Sequence, residues 1–294
     1  MVYLERFTLP SDEKEADFLA FSPKGRQNGY DSKYPFMIFR GRELPTFECS
    51  DITILCGNNG SGKSTILNVI AAALGLSRST ACNRSDFFDD YVGMCHAQLR
   101  SPLPRGSRVI TSDDVFDRVL SIRRLNDGID DRRTALTEAY LDEKQKGAAG
   151  VPNLLAGIDD FEQWKERSDA RRKSKASYLR TRLVRNLTER SNGESALSFF
   201  VDAISERALY LLDEPENSLS PENQLELKYF LEDASAREGC QFLLSTHSPF
   251  LLSLRHARIY DLDRTPPALS RFKELPSVKV YRDFFRENEV LFED

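Results

Sequence analysis

An α/β fold built on a mostly parallel sheet is what this sequence predicts, and three observations predict it. Short apolar runs with strand character recur at 52–56, 208–212, 241–245 and 257–262. Helix-patterned stretches at 66–74 and 221–236 stand between them. Strands alternating with helices build parallel sheets through crossover connections. The chain has 294 residues, enough for one large or two small domains.

The elements follow in order. Val2 to Phe7 and Phe36 to Phe39 read as short strands in turn-rich polar sequence such as Ser22-Pro23-Lys24-Gly25. Ile52-Thr53-Ile54-Leu55-Cys56 reads as a buried strand, with Cys56 as a small core residue, and Ile66 to Leu74 as an amphipathic helix. Between them stands Gly57-Asn58-Asn59-Gly60-Ser61-Gly62-Lys63-Ser64-Thr65, the pattern G-x-x-x-x-G-K-[ST]. In that context the glycines let successive backbone N–H groups curl around an anion, and the new helix adds the positive end of its dipole. Asn58, Asn59, Gly60, Ser61, Gly62, Lys63, Ser64 and Thr65 are therefore the candidate nucleotide-binding residues, with Lys63 reaching the outer phosphates and Ser64 holding Mg²⁺.

Further on, Ala208-Leu209-Tyr210-Leu211-Leu212 is an apolar run that ends in Asp213-Glu214. Such a strand delivers carboxylates to the edge of the sheet where ligands bind in open α/β folds. Asp213 is the second candidate for Mg²⁺, and Glu214 the general base that polarises an attacking water. Ser220 and Pro221 read as the N-cap and first position of the helix over 221–236. Gln241-Phe242-Leu243-Leu244-Ser245 is another buried strand, followed by Thr246-His247-Ser248-Pro249, where strand order sets His247 beside Glu214 and within reach of a terminal phosphate. Arg190-Ser191-Asn192-Gly193-Glu194-Ser195 precedes the apolar helical run 196–200; a Ser-x-Gly turn at a helix start reads either as an anion site or as a plain cap.

Bulk properties narrow the class. Hydrophobic residues are 40% of the chain and charged residues 30%, an ordinary globular balance. No apolar stretch approaches the roughly 20 residues of a membrane span, and the N-terminus lacks the pattern of a signal peptide. Five cysteines without C-x-x-C pairing fit a reduced cytoplasm. A net charge of −5 argues against the whole chain acting as a nucleic-acid binder.

The motifs, in this order, resemble those of an ABC-type ATPase: Walker A at 57–65, a signature at 191–195, Walker B at 209–214, Glu216-Asn217-Ser218-Leu219-Ser220-Pro221 in place of the D-loop, and His247 as the switch histidine. The wording Asp213-Glu214-Pro215-Glu216 with Ser245-Thr246-His247-Ser248-Pro249 resembles the RecF/SMC/OLD branch, and within it the small stand-alone bacterial ATPases, more than transporter subunits. The resemblance implies a P-loop NTPase with an ABC-ATPase-like mixed sheet, ATP and Mg²⁺ as ligands, hydrolysis of ATP to ADP and phosphate, and a homodimer in which Ser191, Gly193 and Glu194 cap the nucleotide of the second copy. Two departures stand out: Ser220 occupies a position where many relatives carry Asp, and the Q-loop is unclear, with Gln98 the candidate metal-side glutamine or else a surface residue.

Residues 78 to 190 change character, with thinner apolar runs and more charge, and read as a helical insertion within one ATPase domain spanning 1–294. Phe161 to Arg190 looks helical, with Trp164 a packing anchor at its start; from Lys165 it carries ten Lys or Arg against three acids. Arg171, Arg172, Lys173 and Lys175 are candidates for contact with DNA or RNA phosphates, or with a partner protein. The leading functional expectation is an ATP-driven dimerisation switch working with nucleic acid or a nucleic-acid-acting effector protein, as in DNA repair or anti-phage defence. Its rivals are a nucleotide-held scaffold with little turnover and a transporter nucleotide-binding subunit. No nuclease motif is visible beside the three histidines.

Overall fold

The computed structural model describes residues 1–26, 32–118, 120–121, 134–136, 138, 192–204 and 207–292, with only the backbone described for 192–195. The chain divides into two compact units, residues 1–116 with 191–294, and residues 117–190. The first unit holds strands β1 (Leu4–Thr8), β2 (Phe47–Glu48), β3 (Ile52–Cys56), β4 (His96–Leu99), β5 (Arg108–Thr111), β6 (Leu209–Asp213), β7 (Gln241–Ser245), β8 (Arg258–Asp261) and β9 (Ala268–Ser270). Helices α1 (Asp12–Phe21), α2 (Lys63–Ala73), α3 (Phe88–Met94), α4 (Asn192–Ala203), α5 (Pro221–Asp233), α6 (Pro249–Leu252) and α7 (Pro276–Glu287) belong to the same unit.

The main sheet has the order β5-β6-β7-β3-β8-β9. Its first five strands are parallel and β9 is antiparallel to β8. A second, antiparallel sheet sets β1 between β2 and β4. The central strands are covered on both faces, which is why they read as unbroken apolar runs rather than alternating ones. Leu55, Leu209, Leu211 and Leu243 face one core with Ile66, Leu67 and Ile70 of α2. Ile54, Tyr210, Leu212, Phe242 and Leu244 face the other with Phe200 of α4 and Leu227 and Leu231 of α5. Each such fully buried aliphatic side chain contributes roughly 1.5–3 kcal/mol. Cys56 lies in this core, where burial pushes its thiol up to about 12.

A buried glutamine ties the two sheets together. Gln241 Oε1 accepts from the amides of Tyr3 and Leu4 at 2.8 and 2.9 Å, and its Nε2 donates to the carbonyls of Leu4 and Ser50 at 2.8 and 3.0 Å. One polar side chain, 1% exposed, thus satisfies the backbone where β1 passes the start of β7.

Two expectations are corrected. Phe36 to Phe39 forms turns, not a strand: Phe36 N donates to Lys33 O, Ile38 N to Pro35 O and Arg40 N to Met37 O. Phe36 and Phe39, three residues apart, both point into the core, a spacing that suits a turn, and Met37 takes a φ of 68°. The insertion begins later than 78. Residues 78–116 belong to the first unit and supply α3, β4 and β5. β4 is largely exposed and β5 only four residues long, so neither left a hydrophobic period to read. The helix expected over Phe161 to Arg190, with Trp164, Arg171, Arg172, Lys173 and Lys175, lies outside the described residues. Among the described residues no helix is long and apolar enough to cross a membrane.

Candidate functional site

β7 lies between β3 and β6, so the loops leaving these three neighbouring strands open side by side at their carboxyl ends. Those loops carry the glycine motif, the Asp213-Glu214 pair and His247.

The glycine loop has the shape its sequence predicts. Gly60 and Gly62 take φ of 81° and 95°, left-handed values that a side chain strains. A Cβ at Gly62 would also run into the Phe39 ring, and one at Gly57 would press on Ser61 Oγ at 2.7 Å. Gly62 starts α2 with no side-chain cap, which leaves the first-turn amides for an anion. Ser61 Oγ is buried without a hydrogen-bond partner among the described residues. Lys63, with a side chain 4% exposed, bends over its own loop: Nζ donates to the carbonyls of Gly57 at 2.9 Å and Asn58 at 3.3 Å, and stands 3.5 Å from Glu214 Oε1.

The acidic half meets this loop directly. Ser64 Oγ donates to Asp213 Oδ1 at 2.9 Å, and Ser245 Oγ donates to the same oxygen. Burial pushes the Asp213 carboxyl above its ordinary range; the Ser245 and Ser64 hydroxyls hold the rise back and the Glu214 charge adds to it. An adjoining hydroxyl and carboxylate form a hard, all-oxygen donor pair, which fits Mg²⁺. Glu214 adopts φ 47° and ψ 54°, a left-handed conformation that costs a non-glycine residue on the order of 1 kcal/mol and concentrates at functional sites. Its amide donates to Ser245 O at 3.0 Å, and Asn217 Nδ2 donates to its Oε2 at 3.1 Å. His247, 38% exposed, has Nδ1 at 3.8 Å from Glu214 Oε1. Lys63, Ser64, Asp213, Glu214 and His247 therefore stand together at the ends of these strands.

Gln98 does not join them. Gln98 lies on exposed β4, opposite Arg6 of β1, and its Nε2 donates to Glu5 Oε2 at 2.9 Å. Among the described contacts none links it to Ser64 or Asp213, so its assignment as a metal-side residue is unsupported by the geometry. Gly193 and Glu194 fall in the first turn of α4. Ser191 lies outside the described residues. Ser220 caps α5 through its hydroxyl, which accepts from the Asn223 amide at 3.3 Å.

Several partners of the site escaped the sequence. The Asp263 carboxylate accepts from the Asn58 amide at 2.9 and 3.0 Å. Arg42 Nη1 donates to Ser61 O at 2.8 Å, and the Tyr34 hydroxyl lies 3.2 Å from Thr65 Oγ1. Glu216 holds the backbone around His247. Only Glu216 carried a local signal, its place in Asp213-Glu214-Pro215-Glu216.

The sheet order, the glycine loop and the acid-tipped β6 define an α/β P-loop NTPase fold on a mixed, mostly parallel sheet. Residues 117–253 match the family model described as an AAA domain, putative AbiEii toxin of a type IV toxin–antitoxin system, and residues 35–94 match a second AAA-domain model. Over these two stretches the chain is similar to AAA domains. Similar solved structures include the SMC head domain from Thermotoga maritima, 16% identical with a TM-score of 0.41, covering 92% of this chain and 98% of that one. The Smc head domain of Pyrococcus furiosus with an extended coiled coil, bound to the C-terminal domain of ScpA, is 14% identical with a TM-score of 0.44, covering 97% and 100%. A nucleotide-free ATP-binding cassette from an ABC transporter is 15% identical with a TM-score of 0.37, covering 79% and 88%. No curated protein matches the chain.

Proposed function

We propose that the chain binds and hydrolyses ATP, and that nucleotide binding drives it to pair head-to-tail with a second copy. The observation that carries this reading is the convergence of Lys63, Ser64, Asp213, Glu214 and His247 at the carboxyl edge of one sheet. In it, the amides of residues 58–65 and Lys63 bind the phosphates, and Lys63 trades its contacts with Gly57 and Asn58 for phosphate oxygens. Ser64 and Asp213 would hold Mg²⁺, which would supply charge neutralisation for the phosphate oxygens. Glu214 orients and deprotonates the attacking water, and His247 donates to the terminal phosphate.

Ser191, Gly193 and Glu194 of the second copy close the site from the other side, which yields a symmetric pair with two shared sites. The basic stretch with Arg171, Arg172, Lys173 and Lys175 contacts DNA or RNA phosphates or an effector protein. The pathway in this reading is anti-phage defence or DNA repair; the matched model is described as a putative AbiEii toxin of a type IV toxin–antitoxin system. The chemistry expected at Glu214 favours turnover over a passive scaffold. The use of Ser220 as a helix cap, where many relatives carry Asp, is what sustains the scaffold as a second reading.

The decisive experiment is Glu214→Gln. Turnover should fall by roughly 10²–10⁴-fold while an ATP-bound dimer accumulates. Turnover at the wild-type rate removes Glu214 from the mechanism, and absence of turnover in the wild type leaves the scaffold. Ser191→Arg should block ATP-dependent pairing, measured by light scattering.

A further inference from the structure

We infer that Glu216 is the positioning residue for His247, acting through one carboxylate oxygen from within the fold. The inference deepens the hydrolysis reading above and rests on it for its functional consequence. Glu216 lies in the turn Pro215–Ser218 immediately after Glu214 and is 7% exposed. Its Oε1 accepts from the Thr246 hydroxyl at 2.7 Å, the His247 amide at 2.8 Å and the Ser248 amide at 3.3 Å. Donors from three consecutive residues converge on one atom, so that atom sets the path of the chain as it leaves β7. The same oxygen stands 3.7 Å from His247 Nε2, while Glu214 Oε1 stands 3.8 Å from His247 Nδ1. The imidazole is thus bracketed by two carboxylates, one half-open to the site and one buried beneath it.

The other oxygen decides between a fold-stabilising and a functional role. Glu216 Oε2 is buried without a hydrogen-bond partner among the described residues. A buried carboxylate with a bare oxygen pays a desolvation penalty that a neutral acceptor in the same turn would avoid. Charge is useful here for two reasons. Hydrogen bonds to a carboxylate are roughly twice as strong as neutral ones, so the loop is held more tightly. The charge also lies within reach of the imidazole. Orientation matters because a catalytic group displaced by about 1 Å can lose on the order of 10²-fold in rate, and outer partners of this kind typically contribute about 10–100-fold.

The test uses Glu216→Gln, which keeps shape and one acceptor oxygen, and Thr246→Val, which removes a donor, in the full-length chain. Amide exchange at His247 and Ser248 should quicken about three- to tenfold in Glu216→Gln, with Thr246→Val shifting it the same way. The kcat for ATP should fall about 10–100-fold with KM within about threefold. In a His247→Ala background Glu216→Gln should lower kcat by less than about twofold further, because a residue acting through His247 has nothing left to position. Unchanged exchange at residues 247 and 248, or full multiplicative losses in the double variant, would overturn the inference. If the wild type shows no turnover, the hydrolysis reading falls and the exchange measurement alone decides for or against Glu216.

Discussion

The two ends of β7 handle buried polarity in opposite ways. At its start Gln241 is buried with both side-chain polar atoms doubly bonded to the backbones of Tyr3, Leu4 and Ser50. At its end the polar groups are left in tension: Asp213 is a carboxyl that burial pushes upward, Glu214 is held left-handed, Glu216 has a bare oxygen, and Lys63 folds onto its own loop. Five residues of strand separate the saturated end from the candidate site. Full satisfaction marks structural polarity; partial satisfaction beside a glycine cradle distinguishes the candidate site.

That contrast can be broken at four points. Lys63→Ala should have the largest effect, weakening ATP binding by on the order of 10³-fold, about 4 kcal/mol at 1.4 kcal/mol per decade, as read by calorimetric titration, with the urea midpoint little changed. Gln241→Leu should do the reverse. It orphans buried backbone groups of Tyr3 and Leu4 and should destabilise the fold by roughly 2–4 kcal/mol, measured by urea unfolding, while the folded fraction keeps its ATP affinity.

Asp213→Asn comes third. The folded Asp213 carboxyl holds its proton to higher pH than the unfolded one. Its contribution therefore weakens the fold as pH rises from the ordinary value of 3.8 through the raised folded one, and the charged form carries that deficit at neutral pH. Replacement by Asn should raise Tm without Mg²⁺, flatten stability against pH over that window, and abolish turnover. A drop in Tm would show that the carboxylate serves the fold. The smallest effect belongs to the surface: Arg258→Ala removes an exposed pair with Glu48 at 3.0 Å and should change stability by less than about 0.5 kcal/mol, vanishing in high salt.

Most of the site's catalytic candidates were legible because each is a contiguous word beside an apolar strand. Gly57 to Thr65, Asp213-Glu214 and Ser245 to Pro249 announce strand end, loop chemistry and helix start within a few residues. Their supports were not legible. Gln241 reaches Tyr3 across 238 positions and Asp263 reaches Asn58 across 205, and no local period encodes such a pairing. The misread stretches had physical reasons too. Phe36 and Phe39 supplied apolarity without alternation, and β4 and β5 were too short or too exposed to show any. Gln98 illustrates the limit: a lone glutamine in polar sequence carries no indication of its neighbours, and only the β1 register assigns it to Glu5. α7 went unread because the family wording fades at the end of the chain; it carries exposed Val280, Tyr281, Phe284 and Phe285.

The position of β5 has a consequence for the segment that follows it. It is the outermost strand of the main sheet, bonded to β6 alone among the named strands, and the second unit, residues 117–190, follows it in the chain. Material added at an outer strand leaves the hydrogen-bond ladders of β3, β6 and β7 untouched. A change in the length of the segment that follows β5 therefore need not shift the register of the strands that carry the candidate site.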